Sequence, residues 1–327
     1  MSQENGLLMT IAIPTYKRTD LLYFAIKSAI EQKQAEGIEY EIIVVDNEAG
    51  EGENDSQRLV EKFQDKKLKY LKNEKNLGMI GNWNRCLELA RGKWIAFLHD
   101  DDLVDANYIN RMCYYINRCK GAKCIIPNWR EVDAEGNEIK SSKKNRRNKK
   151  IPILLHKHGI WKPTDLDNVV MNFNFYGAPS CGVLIDRECA LKLGGFSEKF
   201  QMGGDWEFFV RFSRKYTIYK LNEVLSSYRW AVNASLTIRK QRLKELIEEK
   251  NALLKAIYEN HTSDKRSYSK FVDLNMHMVE WEWCKNYPEA RKYLAESKFS
   301  ALEVIEFYIW ALLRRGYMYF REAFVVR

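Results

Sequence analysis

Long apolar runs are the first thing this chain lacks. No stretch of its 327 residues approaches the ~20 consecutive apolar residues that a membrane-spanning helix needs. The best, Ala301 to Leu313, is short and carries Glu303 and Glu306. The start, MSQENGLLMT, has no basic flank followed by an apolar run, so no signal peptide is read there. The seven cysteines (Cys86, Cys113, Cys119, Cys124, Cys181, Cys189, Cys284) are odd in number and contain no CxxC pair. That argues against a disulfide framework or a zinc site, and for free, mostly buried thiols in a reducing cytoplasm. The five histidines are not spaced like zinc ligands. A GxGxxG turn after the first strand signal is missing too, since PTYKR stands there, and this excludes a dinucleotide-binding dehydrogenase.

What is present describes a globular protein, with 46% apolar and 30% charged residues. The net charge is +9, yet Lys140 to Lys150 (KSSKKNRRNKK) holds seven Lys or Arg and no acid. Taking seven from +9 leaves +2, so the rest of the chain is close to neutral. The run has no aromatic residue for stacking on bases, and no nucleic acid is expected as a partner. Two readings stand: a solvated loop, or a peripheral contact with an anionic membrane surface. The stretch VIEFYIWALLRRGYMYFREAFVVR near the C-terminus has aromatic bulk beside Arg314, Arg315 and Arg321. It fits either an interfacial helix or one packed on the rest of the protein.

Strand and helix signals alternate over the first hundred residues. Leu8 to Ile13 is a short apolar run, and Thr19-Asp20 offers an N-cap before Leu22, Ala25, Ile26, Ala29 and Ile30 at helical spacing. EIIVV (Glu41 to Val45), Leu68 to Leu71 and WIAFL (Trp94 to Leu98) read as further strands, the last preceded by a helix through Trp83 to Arg91. A helix from Asp105 to Lys120, a short CIIP strand, a strand after FYGAPSCG and a helix from Asp205 to Lys215 follow. Such alternation implies βαβ units and a largely parallel sheet. Polar residues stand just after three strands, at Thr15-Tyr16, Asp46-Asn47 and His99 to Asp102. Ligands bind at the carboxyl ends of parallel strands, so this coincidence locates the site. After about Ser235 the pattern is helical, with Ser300-x-x-Glu303 reading as a capping box.

The motif richest in chemistry is FLHDDD, Phe97 to Asp102. Three adjacent carboxylates past a buried strand repel one another unless a cation is near, and hard oxygen ligands suit Mg²⁺ or Mn²⁺ with a substrate's phosphates. The plainer reading makes Asp102 the N-cap of a helix starting near Val104. The same choice arises at GGDWEFFVRF (Gly203 to Phe212): Asp205 is either a general base or the cap of the helix that follows.

IPTYKR (Ile13 to Arg18), VVDN (Val44 to Asn47), NLGMIGNWNRCLELARGKW (Asn76 to Trp94), FLHDDD and GGDWEFFVRF occur in an order and spacing that resemble family 2 glycosyltransferases of bacterial type. The resemblance covers residues from about 8 to 235. It implies a GT-A fold, a Rossmann-like α/β domain with a mostly parallel central sheet, over 1–235, followed by a helical region over 236–327. It implies an inverting transfer from a nucleotide diphosphate sugar, UDP-linked sugars favoured, to a saccharide or lipid-linked saccharide acceptor, with Mn²⁺ or Mg²⁺ as cofactor. By position, Pro14, Thr15, Tyr16, Arg18, Asp46, Asn82 and Asp100 would serve the donor, and Asp101 would ligate the metal. Asp205 would be the base, with Gly203, Gly204 and Trp206 beside it on the acceptor side. Relatives often have Asp in place of Asn47, Glu in place of Gly204, and Asp in place of His99. Tyr228-Arg229 resembles a late strand of the family, where Arg229 would reach a phosphate or form a surface salt bridge. The rivals are a sugar-nucleotide nucleotidyltransferase, which would carry a glycine-rich phosphate loop after the first strand, and a non-catalytic sugar-nucleotide-binding module, which would lose Asp205 or the acidic triplet.

Overall fold

In the computed structural model, which describes residues 8–33, 37–139, 159–161, 180–201, 203–229, 248–249 and 252, strands β1 (Met9–Thr15) and β2 (Tyr40–Asp46) are buried at every position. A strand buried without alternation has both faces covered, as in sheets built from βαβ units. Helix α1 (Thr19–Ile30) covers one face with Leu22, Ala25, Ile26 and Ala29. Helix α3 (Gly78–Leu89) buries Ile80, Trp83, Cys86 and Leu87. β3 (Leu68–Lys72) and β4 (Trp94–Phe97) complete a parallel set in the order β3-β2-β1-β4.

The sheet of nine strands then changes character. β8 (Val183–Asp186) pairs antiparallel with β4 and with β6 (Ala122–Val132). β6 runs parallel to β9 (Thr217–Arg229), whose antiparallel partners are β5 (Leu103–Val104) and β7 (Gly159–Trp161). Among the described residues of this sheet-bearing part, the other helices are α2 (Asp55–Glu61), α4 (Tyr108–Arg118), α5 (Arg187–Lys192) and α6 (Gly204–Ser213). The chain divides into two compact units, Met1–Lys162 with Ala178–Asn233, and Pro163–Gly177 with Ala234–Arg327. Everything above belongs to the first. Of the second, only 248–249 and 252 are described, as helix. The rest of the C-terminal region and Lys140 to Lys150 lie outside the described residues.

Several boundaries differ from the sequence reading for local reasons. α4 starts at Tyr108 rather than Asp105, because Leu103–Val104 is drawn into pairing with β9. The CIIP strand does not stop at Pro127. It continues to Val132, and Pro127, with no N–H to give, falls at a register shift between Ile126 and Asn128. The cap of α1 is Arg18 and not Thr19, with no side chain closing it. α2, a short helix capped by Asn54, was not read from the sequence. The six described cysteines are all free and buried.

At the amino ends of the strands, Glu41 is 3% exposed and anchors four donors. Thr10 Oγ1 and the Arg91 amide bond its Oε1, both at 2.9 Å, and Arg91 Nε (2.9 Å) and Lys69 Nζ (3.1 Å) bond its Oε2. Burial alone would raise this carboxyl, but the bonds from Arg91, Lys69 and Thr10 outweigh it and hold the group below its ordinary value. A depressed folded-state pKa contributes stability above the unfolded pKa and loses it as pH falls through the folded one. Glu41→Ala is therefore expected to cost about 2 kcal/mol in urea unfolding at pH 7. The gap from the native protein should shrink as pH drops through the carboxylate range. A gap independent of pH would show that the charge of Glu41 is not what is lost.

Candidate active site at the carboxyl ends of the parallel strands

The acidic turn follows β4 directly and is closed by the Asp102 amide bonding His99 O at 3.1 Å. Asp100, Asp101 and Asp102 are 7%, 4% and 0% exposed, so three carboxylates share a poorly hydrated corner. Neighbouring strand ends supply the compensation. Thr15 Oγ1, at the tip of β1, donates to Asp100 Oδ2 at 2.9 Å. Arg18 Nη1 donates to Asp100 Oδ1 (3.1 Å) and Asp101 Oδ2 (2.9 Å). Lys17 just before it has φ 54°, a left-handed conformation in the turn between β1 and α1. Burial pushes the Asp100 carboxyl up to about 6, with Arg18 opposing and Asp101 adding. Burial likewise raises Asp102. At His99, burial disfavours the charged ring, but the carboxylates of Asp102, Asp101 and Asp205 outweigh it and lift the imidazole to about 9. Asp205 thus acts electrostatically on the acidic turn, although 103 residues separate it from Asp102 in the chain.

Asp102 does not cap a helix. α4 begins six residues later behind Asn107, and Asp102 Oδ1 instead accepts the Arg229 amide at 2.9 Å. Arg229 is 1% exposed, and its guanidinium bonds the backbone carbonyls of Asp101 (2.9 Å), Asp133 (3.3 Å) and Ala134, above the ring of Phe24. That is not a surface salt bridge. It ties the acidic turn to the turn after β6 and to α1.

Behind the strand ends lies a network of amides. Asn47 Nδ2 donates to Asn76 Oδ1 (2.9 Å) and Gly78 O (3.1 Å), while its Oδ1 accepts from Leu77 N (2.8 Å) and Asn73 Nδ2 (3.1 Å). Asn82 accepts from Asn73 and donates to Val45 O. Asp46 is fully buried and accepts from Glu48 N, Asn54 Nδ2 and Tyr70 OH. Asp46 and Asn82, both expected to serve a donor, are already hydrogen-bonded within the protein. Tyr16 is exposed at 45%, and Pro14 and Thr15 end β1 beside it.

α6 carries the second motif. Gly203 is its N-cap, so Asp205 sits inside the first turn and is not the cap; its Oδ1 accepts the Trp206 amide at 2.8 Å. A Cβ on Gly204 would come within 2.5 Å of Ile80 Cδ1, so α3 fills the space that a side chain there would need. Glu207 pairs with Arg211, which also clamps Leu193 O and Gly195 O, and this gives Glu207 a structural role. Trp83 stacks on His99, with ring centroids 5.3 Å apart, and Phe196 packs on Trp83, Phe97 and Phe208. Ser180 Oγ lies 3.1 Å from His99 Nε2. Sequence reasoning missed Ser180 and Asn73, since single polar residues in a turn carry no pattern.

Could the turn hold a divalent cation? One ligand atom each from His99, Asp101 and Asp102 lies within 4.8 Å of the other two, and Asp102 Oδ2 is buried with no hydrogen-bond partner. An orphaned buried carboxylate oxygen is costly, and a cation would satisfy it. The residues fit the group.

A parallel half-sheet, carboxylates at its carboxyl edge and a second acidic motif brought up by a later helix define a GT-A fold. Residues 10–190 match the family model described as glycosyl transferase family 2, more than half of the chain, and the protein belongs to that family. It is 27% identical over 207 residues to an uncharacterized protein of Mycobacterium tuberculosis, covering 62% of this chain and 61% of that one. It is 33% identical over 100 residues to the Escherichia coli UDP-Glc:alpha-D-GlcNAc-diphosphoundecaprenol beta-1,3-glucosyltransferase WfgD, covering 31% of this chain and 37% of the relative. The chain thus spans less than two thirds of the length of these relatives. The crystal structure of S. aureus TarS 1–349 in complex with UDP-GlcNAc superposes with a TM-score of 0.62 at 14% identity, over 89% of this chain and 76% of that one. At that identity the likeness is one of fold.

The amide network generates a prediction. Asn47→Asp keeps the shape but turns two donated bonds into oxygen facing oxygen, at Asn76 and Gly78. A loss of about 2 kcal/mol is expected in urea unfolding at neutral pH. Unchanged stability would mean that Asn47 is not held as the hydrogen bonds indicate.

Proposed function

We propose that this protein is an inverting glycosyltransferase that moves a sugar from a nucleoside diphosphate, UDP favoured, to a hydroxyl of a saccharide or lipid-linked saccharide in bacterial surface-polysaccharide synthesis. The observation that carries the reading is the buried acidic turn at the carboxyl end of β4, bonded by Thr15 and Arg18, with Asp205 in the first turn of a helix packed on α3. A reaction that needs both a proton acceptor and charge compensation for a departing diphosphate needs those two groups together. The UDP-Glc-dependent glucosyltransferase of Escherichia coli and the UDP-GlcNAc ligand of the TarS complex support a UDP-linked donor.

Residues 1–235 would form the catalytic domain and 236–327 a helical second one. Pro14, Thr15, Tyr16 and Arg18 serve the nucleotide, with Asp46 and Asn82 stiffening the wall behind them. Asp100 takes a ribose or outer contact. A divalent cation, Mn²⁺ or Mg²⁺, held at Asp101 would offset the charge on the leaving diphosphate. Asp205 accepts the acceptor's hydroxyl proton as its oxygen bonds the anomeric carbon and the bond to the diphosphate breaks on the opposite face. One such displacement converts an α-linked donor into a β-glycoside. Gly203, Gly204 and Trp206 shape the acceptor side around the base.

Asp205→Asn is expected to lower turnover roughly 10²- to 10⁴-fold while UDP-sugar affinity, read by thermal shift, changes little. A chelator should abolish transfer. Full turnover in the Asn variant, or in chelator, sinks the assignment, and UDP-sugar binding with no transfer to any acceptor would favour the binding-module rival.

The site of action we infer is the cytoplasmic face of the membrane, reached peripherally. No helix among the described residues is long and apolar enough to cross a membrane. The support lies in the seven basic residues of Lys140 to Lys150, each contributing about 1 kcal/mol near anionic lipid, and in the aromatic C-terminal stretch. Co-sedimentation with anionic but not neutral vesicles, weakened by salt and by changing the seven to Ser, is expected. Absence of binding at low salt returns the run to a solvated loop.

A further inference from the structure

We propose that His99 is itself a metal ligand, through Nδ1, and that the site of His99, Asp101 and Asp102 therefore selects a transition metal such as Mn²⁺ or Co²⁺ over Mg²⁺. This rests on the metal-assisted reading above and goes further, because that reading asks only for carboxylate at Asp101.

Three observations carry it. The first is the orphaned oxygen: Asp102 is 0% exposed, its Oδ1 is taken by the Arg229 amide, and its Oδ2 has no hydrogen-bond partner. That oxygen faces His99 Nδ1 at 3.4 Å. Two donors bound to one metal at about 2.1 Å each stand roughly 3.0–3.4 Å apart for angles between octahedral and tetrahedral. Asp101 brings its carboxylate within 4.8 Å of both.

The second is the other side of the ring. His99 Nε2 lies 3.1 Å from Ser180 Oγ. A ligating imidazole donates its second N–H to an acceptor, which fixes the tautomer and aims the free lone pair at the metal. With Nε2–H donated to Ser180 Oγ, a cation that displaces the proton between Nδ1 and Asp102 Oδ2 meets the Nδ1 lone pair and that oxygen together.

The third is rigidity. Trp83 stacks on the imidazole at 5.3 Å and 17°, and Phe97 and Phe196 back the indole. A ring held by a stack on its face and a hydrogen bond at its edge is preorganised for one ligand geometry. Arg229 does the same for the carboxylates, since it bonds the Asp101 carbonyl and the Asp102 side chain at once.

The consequence for selectivity is chemical. An imidazole nitrogen is a poor ligand for the hard Mg²⁺ ion, and affinity for nitrogen-bearing sites rises along the first transition row from Mn²⁺ through Co²⁺. A ligand set of carboxylates alone lacks that bias.

The experiment uses the full chain with UDP and Mn²⁺, read by pulsed electron paramagnetic resonance and by titration calorimetry. The Mn²⁺–UDP complex of the native protein is expected to show ¹⁴N modulation from one imidazole, which changes on ¹⁵N-histidine labelling and disappears in His99→Asp. In that variant the ratio of Mn²⁺ to Mg²⁺ affinity should fall at least 10-fold while UDP still binds. Ser180→Ala, which keeps the ligands and loses only the orienting oxygen, should weaken Mn²⁺ roughly 10- to 100-fold. Mn²⁺ bound with UDP but without nitrogen modulation overturns this proposal and leaves the glycosyltransferase reading standing. No Mn²⁺ or Mg²⁺ bound with UDP overturns both the ligand assignment and the metal-assisted chemistry.

Discussion

Placing three carboxylates in one dry corner is the constraint on which the rest of this molecule turns. Asp100, Asp101 and Asp102 follow the buried strand β4, and water does not screen them. Compensating charges and hydrogen-bond donors must therefore come from the protein. They come from elements far apart in the chain: Thr15 and Arg18 from the end of β1, His99 from the turn itself, and Arg229 from the last residue of β9. Assembling that corner requires β1 beside β4, and it requires β9 to end where Arg229 reaches the turn after β5 and β6 have passed it. Sheet order and site are the same requirement seen twice.

The compensation is uneven. Arg18 touches carboxylate oxygens directly, whereas Arg229 spends its guanidinium on carbonyls and gives only its amide to Asp102. Arg18 is the more exposed of the two, 22% by side chain. Arg229 is enclosed and can only hold the backbone still. One arginine binds the carboxylates themselves, the other holds the backbone of the turn. The amides of Asn47, Asn73 and Asn82 do the same for the ends of β2 and β3, binding them and the start of α3 into one network.

Much of the α/β order was legible because periodicity is local. EIIVV and WIAFL read as buried strands and are β2 and β4, and the helical spacing of Leu22, Ala25, Ile26 and Ala29 is the buried stripe of α1. Reading failed where a distant partner decides. Leu103–Val104 looks like the entry to a helix until β9 pairs with it, and β6 outruns Pro127 because both β8 and β9 hold it. The cap readings weighed for Asp102 and Asp205 failed for the same reason: each has a competing partner or position that local spacing does not reveal.

The sequence alone determined which residue types are present and in what order: carboxylates after β4, a small and polar turn after β1, an aspartate near the start of a late helix, and with these the family. Those properties depend on neighbours a few residues away. The tertiary structure alone decided what each side chain is free to do. It gave Asp46 and Asn82 partners within the protein, enclosed Arg229, and filled the space beside Gly204 with Ile80. It also left one oxygen of Asp102 facing His99 with Ser180 behind the ring. Hydrogen bonds and close packing act over about 3 to 4 Å between residues a hundred positions apart, and no pattern along the chain encodes that distance.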